Sequence, residues 1–143
     1  MVVLREVLLQ TALSFLSNLE GLVDGPESFN TGRTPDAVHH ILPASLQVPP
    51  MNNTGMLGLI EVTFPGLTSF KAELVGSVED AIVIEEKKRK VVIHATGNGV
   101  TSVGNYAQEY TFTILTTNDG RQVKESWEFL DSAFALEWQK ITG

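Results

Sequence analysis

The segment TPDAVHHILPASL, Thr34 to Leu46, sets a carboxylate (Asp36) and two imidazoles (His39 and His40) between Pro35 and Pro43. One further histidine, His94, lies in the apolar run VVIHATG. A carboxylate beside an imidazole can carry a proton to or from a substrate, the carboxylate as base or acid and the imidazole as shuttle or oxygen-polarising donor. Such chemistry near neutral pH favours carboxylates held in apolar surroundings, where the charged form is penalised. A second carboxylate, Glu61, follows Leu57 by one helical turn and is the natural partner for Asp36. Each residue also has a plainer role open to it. Asp36 can cap the turn after Pro35, Glu61 can project from a helix border into solvent, and His39 can bond the backbone. His40 points away from His39 wherever the segment is extended. His94 reads as a surface histidine paired across strands. Asp36, His39 and His40 are not followed by a ligand cluster at familiar spacing, so no metal is expected.

The elements that must position these groups follow from the apolar periodicity. Apolar residues at 4, 8, 12, 15, 16, 19 and 22 predict an amphipathic helix over about Val3 to Leu22, ended by Gly25-Pro26. Residues 26–50 hold most of the prolines, so short helical turns and a short strand are expected there. Met56, Leu57, Leu59, Ile60 and Phe64 predict a second helix from about Asn53 to Phe64, stopped by Pro65-Gly66. Beyond it the pattern turns to strands: Phe70–Val78, Ile82–Glu86, Lys90–Thr96, Asn105–Thr116 and Arg121–Asp131, then a short helix from Ala133 to about Ile141. Asp119-Gly120 predicts a tight primed hairpin turn. Helices first and an antiparallel meander after them predict an α+β domain spanning residues 1–143, with helices on one face of a curved sheet. The glycine-rich GNGVTSVG (97–104) precedes a strand, not a helix, and so is not a phosphate-binding loop.

Alternation assigns faces to the last hairpin. Tyr106, Gln108, Tyr110, Phe112 and Ile114 share one face, and Val123, Glu125, Trp127, Phe129 and Asp131 share another. With a loop of two or four residues the aromatic faces coincide. Tyr110, Phe112, Trp127 and Phe129 then form an inner wall, with Tyr106, Gln108 and Asp131 toward one end. This describes either a core with a polar end or an apolar pocket with a few placed polar groups. Asp131 has a second role open to it, capping the closing helix.

Composition narrows the partners. A net charge of −7 repels phosphate backbones, so nucleic acid is not expected. The basic run Lys87 to Lys90 reads as a solvated turn. No apolar stretch approaches a membrane span, and the polar residues within the first helix do not match a signal peptide. There is no cysteine, which is compatible with a reducing compartment, and the cytoplasm is the expected location.

RTPDAVHHILPASL (33–46), PPMNN (49–53), TSVGNYAQEYTFTI (101–114) and DGRQVKESWEFLDS (119–132) together resemble the SnoaL-like branch of the NTF2-like superfamily. Within it the words are similar to the small fungal isomerases of meroterpenoid (polyketide–terpenoid) biosynthesis. The resemblance implies a cone-shaped fold, a homodimer, a deep pocket for a bulky apolar substrate, no cofactor, and acid–base ring rearrangement. It implies Asp36 and His39 as site residues, Asn53 at the start of the second helix as an assisting group, and Glu61 as the partner carboxylate. Trp127 stands where some relatives carry a polar group. Hydrolase, dehydratase or cyclase chemistry on the same scaffold, or a non-catalytic ligand-binding role, are the alternatives.

Overall fold

The structure, a computed structural model, describes residues 3–143. It opens with helix α1 (Leu4–Glu20), whose Leu8, Ala12, Phe15, Leu16 and Leu19 form one buried stripe. Two 3-10 turns follow, at Gly21–Asp24 and Pro26–Asn30, joined by Gly25 at φ 152°, a conformation open to glycine. Strand β1 (Arg33–Leu42) and the short β2 (Met51–Asn52) lead into α2 (Asn53–Thr63). The Asn52 side chain caps α2 by accepting from the Gly55 amide at 2.7 Å. Then come β3 (Ser69–Leu74), the single turn α3 (Val78–Ala81), β4 (Ile82–Glu85), β5 (Lys90–Thr101), β6 (Gly104–Thr116), β7 (Val123–Leu130) and α4 (Ser132–Thr142). Among the described residues no helix is long and apolar enough to cross a membrane.

The sheet runs β2-β1-β7-β6-β5-β3, with β4 pairing the other half of β5. The helices cover its inner face, as the α+β pattern predicts. Phe15 of α1 meets Phe112 of β6 edge-on at 5.0 Å in the centre of the core, and cutting Phe112 to alanine would cost about 3–5 kcal/mol.

Three features depart from the expected meander. First, the proline-bracketed segment, where a short strand was expected, is the ten-residue strand β1, and it lies parallel to β7, so the sheet is mixed. Its Ala37-Val38-His39-His40-Ile41 alternates as a strand does, and Pro35 is accommodated because residues 34–37 bulge out of the ladder opposite Lys124 alone. Second, Asp119-Gly120 does not make a two-residue turn. The loop runs from Thr117 to Gln122, with a tight turn closed by the Gly120 amide on the Thr117 carbonyl, and only Gly120 has positive φ. Third, β5 continues past Thr96 to Thr101, carrying Gly97 and Gly99 inside the strand.

The register of β6 and β7 is the main correction. Thr116 pairs with Val123, a register that would bring Phe112 opposite Trp127. A bulge at Lys124 then shifts the pairing by one, so Leu115 meets Glu125, Phe112 meets Glu128 and Tyr110 meets Leu130. A one-residue shift exchanges the faces of everything beyond it. Trp127 and Phe129 therefore lie on the outer face, and Phe129 is more than half exposed, while Ser126, Glu128 and Leu130 turn inward. The expected wall of four aromatic rings keeps only its β6 half, Tyr110 and Phe112.

Candidate active site

The inner face of β1, β7 and β6, the end of α1, and helices α2 and α4 enclose a cavity of about 290 Å³. Its apolar wall includes Phe29, Met56, Ile60, Phe64, Phe112 and Trp138. Against that wall stand Glu128, Tyr106, Tyr110 and Gln108.

Glu128 is fixed from behind by a chain of hydrogen bonds running along β1 and β7. The parallel register sets His39 beside Ser126, both facing inward and both fully buried. His39 Nε2 lies 2.5 Å from Glu128 Oε1, and Nδ1 lies 2.6 Å from Ser126 Oγ. Arg33 Nη1 donates to Ser126 Oγ at 2.8 Å, and Arg33 Nε donates to Asn53 Oδ1 at 3.2 Å. The protons follow from this network. Arginine only donates, so the Ser126 oxygen accepts and its own proton goes to His39 Nδ1. The histidine proton then sits on Nε2 and points at the carboxylate. Glu128 is the last acceptor in the chain, with Oε2 left to face the cavity.

Arg33 is nine-tenths buried and has no carboxylate partner among the described residues. Its guanidinium lies 4.8 Å from the Phe29 ring centroid. Burial pushes its pKa down to about 10, which still leaves it charged at neutral pH. The order Arg33, Ser126, His39, Glu128 is the reverse of a serine nucleophile's arrangement: the hydroxyl is sealed at the back and the carboxylate stands at the front.

The second polar element is the hydroxyl pair. Tyr106 and Tyr110 share the inner face of β6, and their oxygens lie 2.5 Å apart. Burial first pushes both phenols well above their usual range, helped by the Glu128 charge at Tyr106 and by Tyr106 and then Glu128 at Tyr110, so both keep their protons at any working pH. One proton makes the mutual bond and the other remains to meet a ligand oxygen. Gln108 between them accepts from the Asp131 and Glu109 amides at 2.8 and 2.9 Å and donates to the Asp131 carbonyl, tying β6 to the start of α4. α4 closes the cavity, with Trp138 donating to the Thr63 carbonyl at 2.8 Å.

Of the residues expected from the sequence, the cavity gathers Tyr106, Gln108 and Tyr110, with His39 directly behind Glu128. It does not gather Asp36, which the bulge at Pro35 carries into solvent, nor Glu61, which follows the buried Ile60 onto the exposed side of α2. Asn53 braces the site from outside the cavity: it receives Arg33 and donates to the Thr34 carbonyl at 2.9 Å. Trp127 and Phe129 lie on the outer face. Asp131 caps α4, accepting from the Ala133 and Phe134 amides. His40 bonds Glu125 and stacks on Trp127 at 5.3 Å, and His94 bonds Glu109, all on the outer face.

Sequence reasoning missed Arg33, Ser126 and Glu128. The signal for Glu128 was the alternate reading of KESWEFL, in which Ser126, Glu128 and Leu130 share a face. The two tryptophan-side aromatics drew the inner face to the other register.

No family model matches the chain. It is 32% identical over 138 residues to austinoid biosynthesis clusters protein H of Penicillium brasilianum, covering 95% of this chain and 90% of that protein. The crystal structure of BvnE pinacolase from Penicillium brevicompactum superposes with a TM-score of 0.87 at 25% identity, covering 96% of this chain and 95% of that one. A structure described as a SnoaL-like polyketide cyclase from Shewanella denitrificans shares the fold at a TM-score of 0.69 and 10% identity, covering 94% and 97%.

Proposed function

The chain belongs to the SnoaL-like, NTF2-fold family that includes the austinoid-cluster protein H, and on that premise we propose that it is an isomerase of fungal meroterpenoid biosynthesis that works by proton transfer. The observation that carries the reading is the Glu128 carboxylate, held by His39 in an apolar cavity beside a protonated tyrosine pair. Glu128 Oε2 takes a proton from a carbon or hydroxyl of the substrate. Negative charge develops on a nearby substrate oxygen, and the free O–H of the Tyr106–Tyr110 pair stabilises it, as donors aimed at a forming oxyanion do. The carboxylic acid then returns the proton at the new position. His39 stays in place throughout, held by Ser126 and Arg33, so that the carboxylate does not swing away as its charge changes.

The apolar wall selects a bulky terpenoid–polyketide body, and the polar corner selects one oxygen function on it. The structural relative from Penicillium brevicompactum is described as a pinacolase, a name that supports an enzymatic reading. A homodimer through the outer sheet face is part of the same reading, supported by the exposure of Phe129 and Val83 there.

Co-expression with a pathway that makes a terpenoid–polyketide precursor tests the reaction class. An isomerase converts the precursor to a product of identical mass and, in heavy water, leaves deuterium at one carbon. A product one water heavier or lighter would assign a hydrolase or a dehydratase instead.

A further inference from the structure

GNGVTSVG is the one sequence motif that the site has not absorbed. Its first two glycines lie on the inner face of β5, in line with Ile93 and Ala95. Gly97 does not have a left-handed φ, so backbone freedom is not why it is glycine. Space is the reason. A Cβ at Gly97 would stand 2.8 Å from Phe70 Cζ and 3.0 Å from Tyr110 Cε2, and one at Gly99 would stand 3.1 Å from Phe70 Cδ2. The two glycines make a bare strip on which the Phe70 ring lies and against which Tyr110 leans.

Both rings are held by their neighbours. Phe70 is buried and meets Phe64 edge-on at 5.4 Å, with Tyr106 6.2 Å away. Tyr110 stacks on Phe112 at 4.6 Å and 20°. A methyl group at position 97 pushes Phe70 aside first and presses the Tyr110 ring back by a few tenths of an ångström, and with it the hydroxyl bonded to Tyr106. Hydrogen bonds weaken steeply once their angle is lost, so a small ring shift changes what the pair can offer a ligand.

We propose that Gly97 is a positioning residue for the proton-transfer site: its missing side chain sets where the Tyr110 hydroxyl stands and so which substrate oxygen the pair can reach. The proposal rests on the hydroxyl pair being the group that meets the substrate oxygen. A probe separates the two claims. Acetophenone, an aryl ketone small enough for the cavity, reports hydrogen bonding through its infrared carbonyl stretch, which moves to lower frequency as donors align on the oxygen.

In the unaltered protein the bound ketone is expected at lower frequency than in hexane. Tyr110→Phe should abolish most of that shift. Gly97→Ala should lose about half of it while the cooperative melt is retained. Gly58→Ala, at a site with nothing within 4 Å, should leave the shift unchanged. Combining Gly97→Ala with Phe70→Leu gives the methyl room and should restore most of the shift. This pair also decides the matter should the single variant fold poorly, because Phe70→Leu alone is its reference. A full shift in Gly97→Ala, or equal loss in the double variant and the Gly97→Ala single variant, overturns the role of Gly97. A full shift in Tyr110→Phe overturns the role of the Tyr110 hydroxyl, and a full shift in the Tyr106→Phe, Tyr110→Phe double variant overturns the hydroxyl reading itself.

Discussion

The sheet carries two histidine–glutamate pairs on the same two strands and on opposite faces, the histidines adjacent and the glutamates three residues apart. His39 and Glu128 face inward, with the imidazole fully buried and the carboxylate side chain 13% exposed. His40 and Glu125 face outward, at 24% and 35%. The chemistry of the side chains is identical and the bond lengths are alike, 2.5 and 2.7 Å. What differs is what stands behind and in front. The inner histidine is oriented by Ser126 and the buried Arg33, and its carboxylate opens on an apolar cavity next to two protonated tyrosines. The outer histidine lies on Trp127 and its carboxylate opens on water, where ion pairs contribute little and salt screens them. Residue type therefore does not mark the site. The face of the strand does, and the bulge at Lys124 sets that face.

The difference can be broken one atom at a time. Glu128→Gln keeps the shape and removes the base, and turnover should fall by about a thousandfold, whereas Glu125→Gln should change it less than about twofold. A comparable loss from Glu125→Gln would erase the distinction. His39→Ala should lower stability by about 2–4 kcal/mol in chemical denaturation, since it strips a buried carboxylate and Ser126 of their partner. His40→Ala should cost about 1 kcal/mol or less, chiefly through its contact with Trp127. Tyr110→Phe should slow turnover by about a hundredfold through the lost hydroxyl donor. Because burial and Glu128 hold both phenols above their usual range, no loss of activity from tyrosine ionisation should appear as pH rises to 10, a limb that a rate profile would expose. The smallest effect is expected from Asp36→Ala, at a bulged and exposed position, with turnover and melting temperature essentially unchanged.

How much of this was legible follows the range of each interaction. The apolar periodicity of α1 and α2 and the alternation within β5, β6 and β7 are local, and those elements formed where the pattern lies, with β5 running on to Thr101. Tyr106, Gln108 and Tyr110 could be set on the inner face because alternation within one strand suffices to place them. His39 was singled out through the word it sits in, although Glu128, which it bonds, was not. Glu128 and Ser126 depend on the register between two strands, and a single extra residue at Lys124 inverted that register. Nothing in the residue types around Lys124 announces a bulge. Asp36 was misplaced for the matching reason on β1: Pro35 cannot donate to the ladder, and the strand bows outward there instead of bringing the carboxylate into the cavity. Arg33 was visible in the sequence, but its burial without a carboxylate is a tertiary fact.

The proposed chemistry requires that Glu128, and neither Asp36 nor Glu61, moves the proton. The direct measurement is deuterium incorporation from heavy water into the isomerised product, compared between Glu128→Gln and the pair Asp36→Asn and Glu61→Gln. Incorporation lost together with turnover in Glu128→Gln, and kept in the other two, is the predicted result. Glu128→Gln turning over and exchanging at the unaltered rate, with loss in Asp36→Asn or Glu61→Gln, would contradict it.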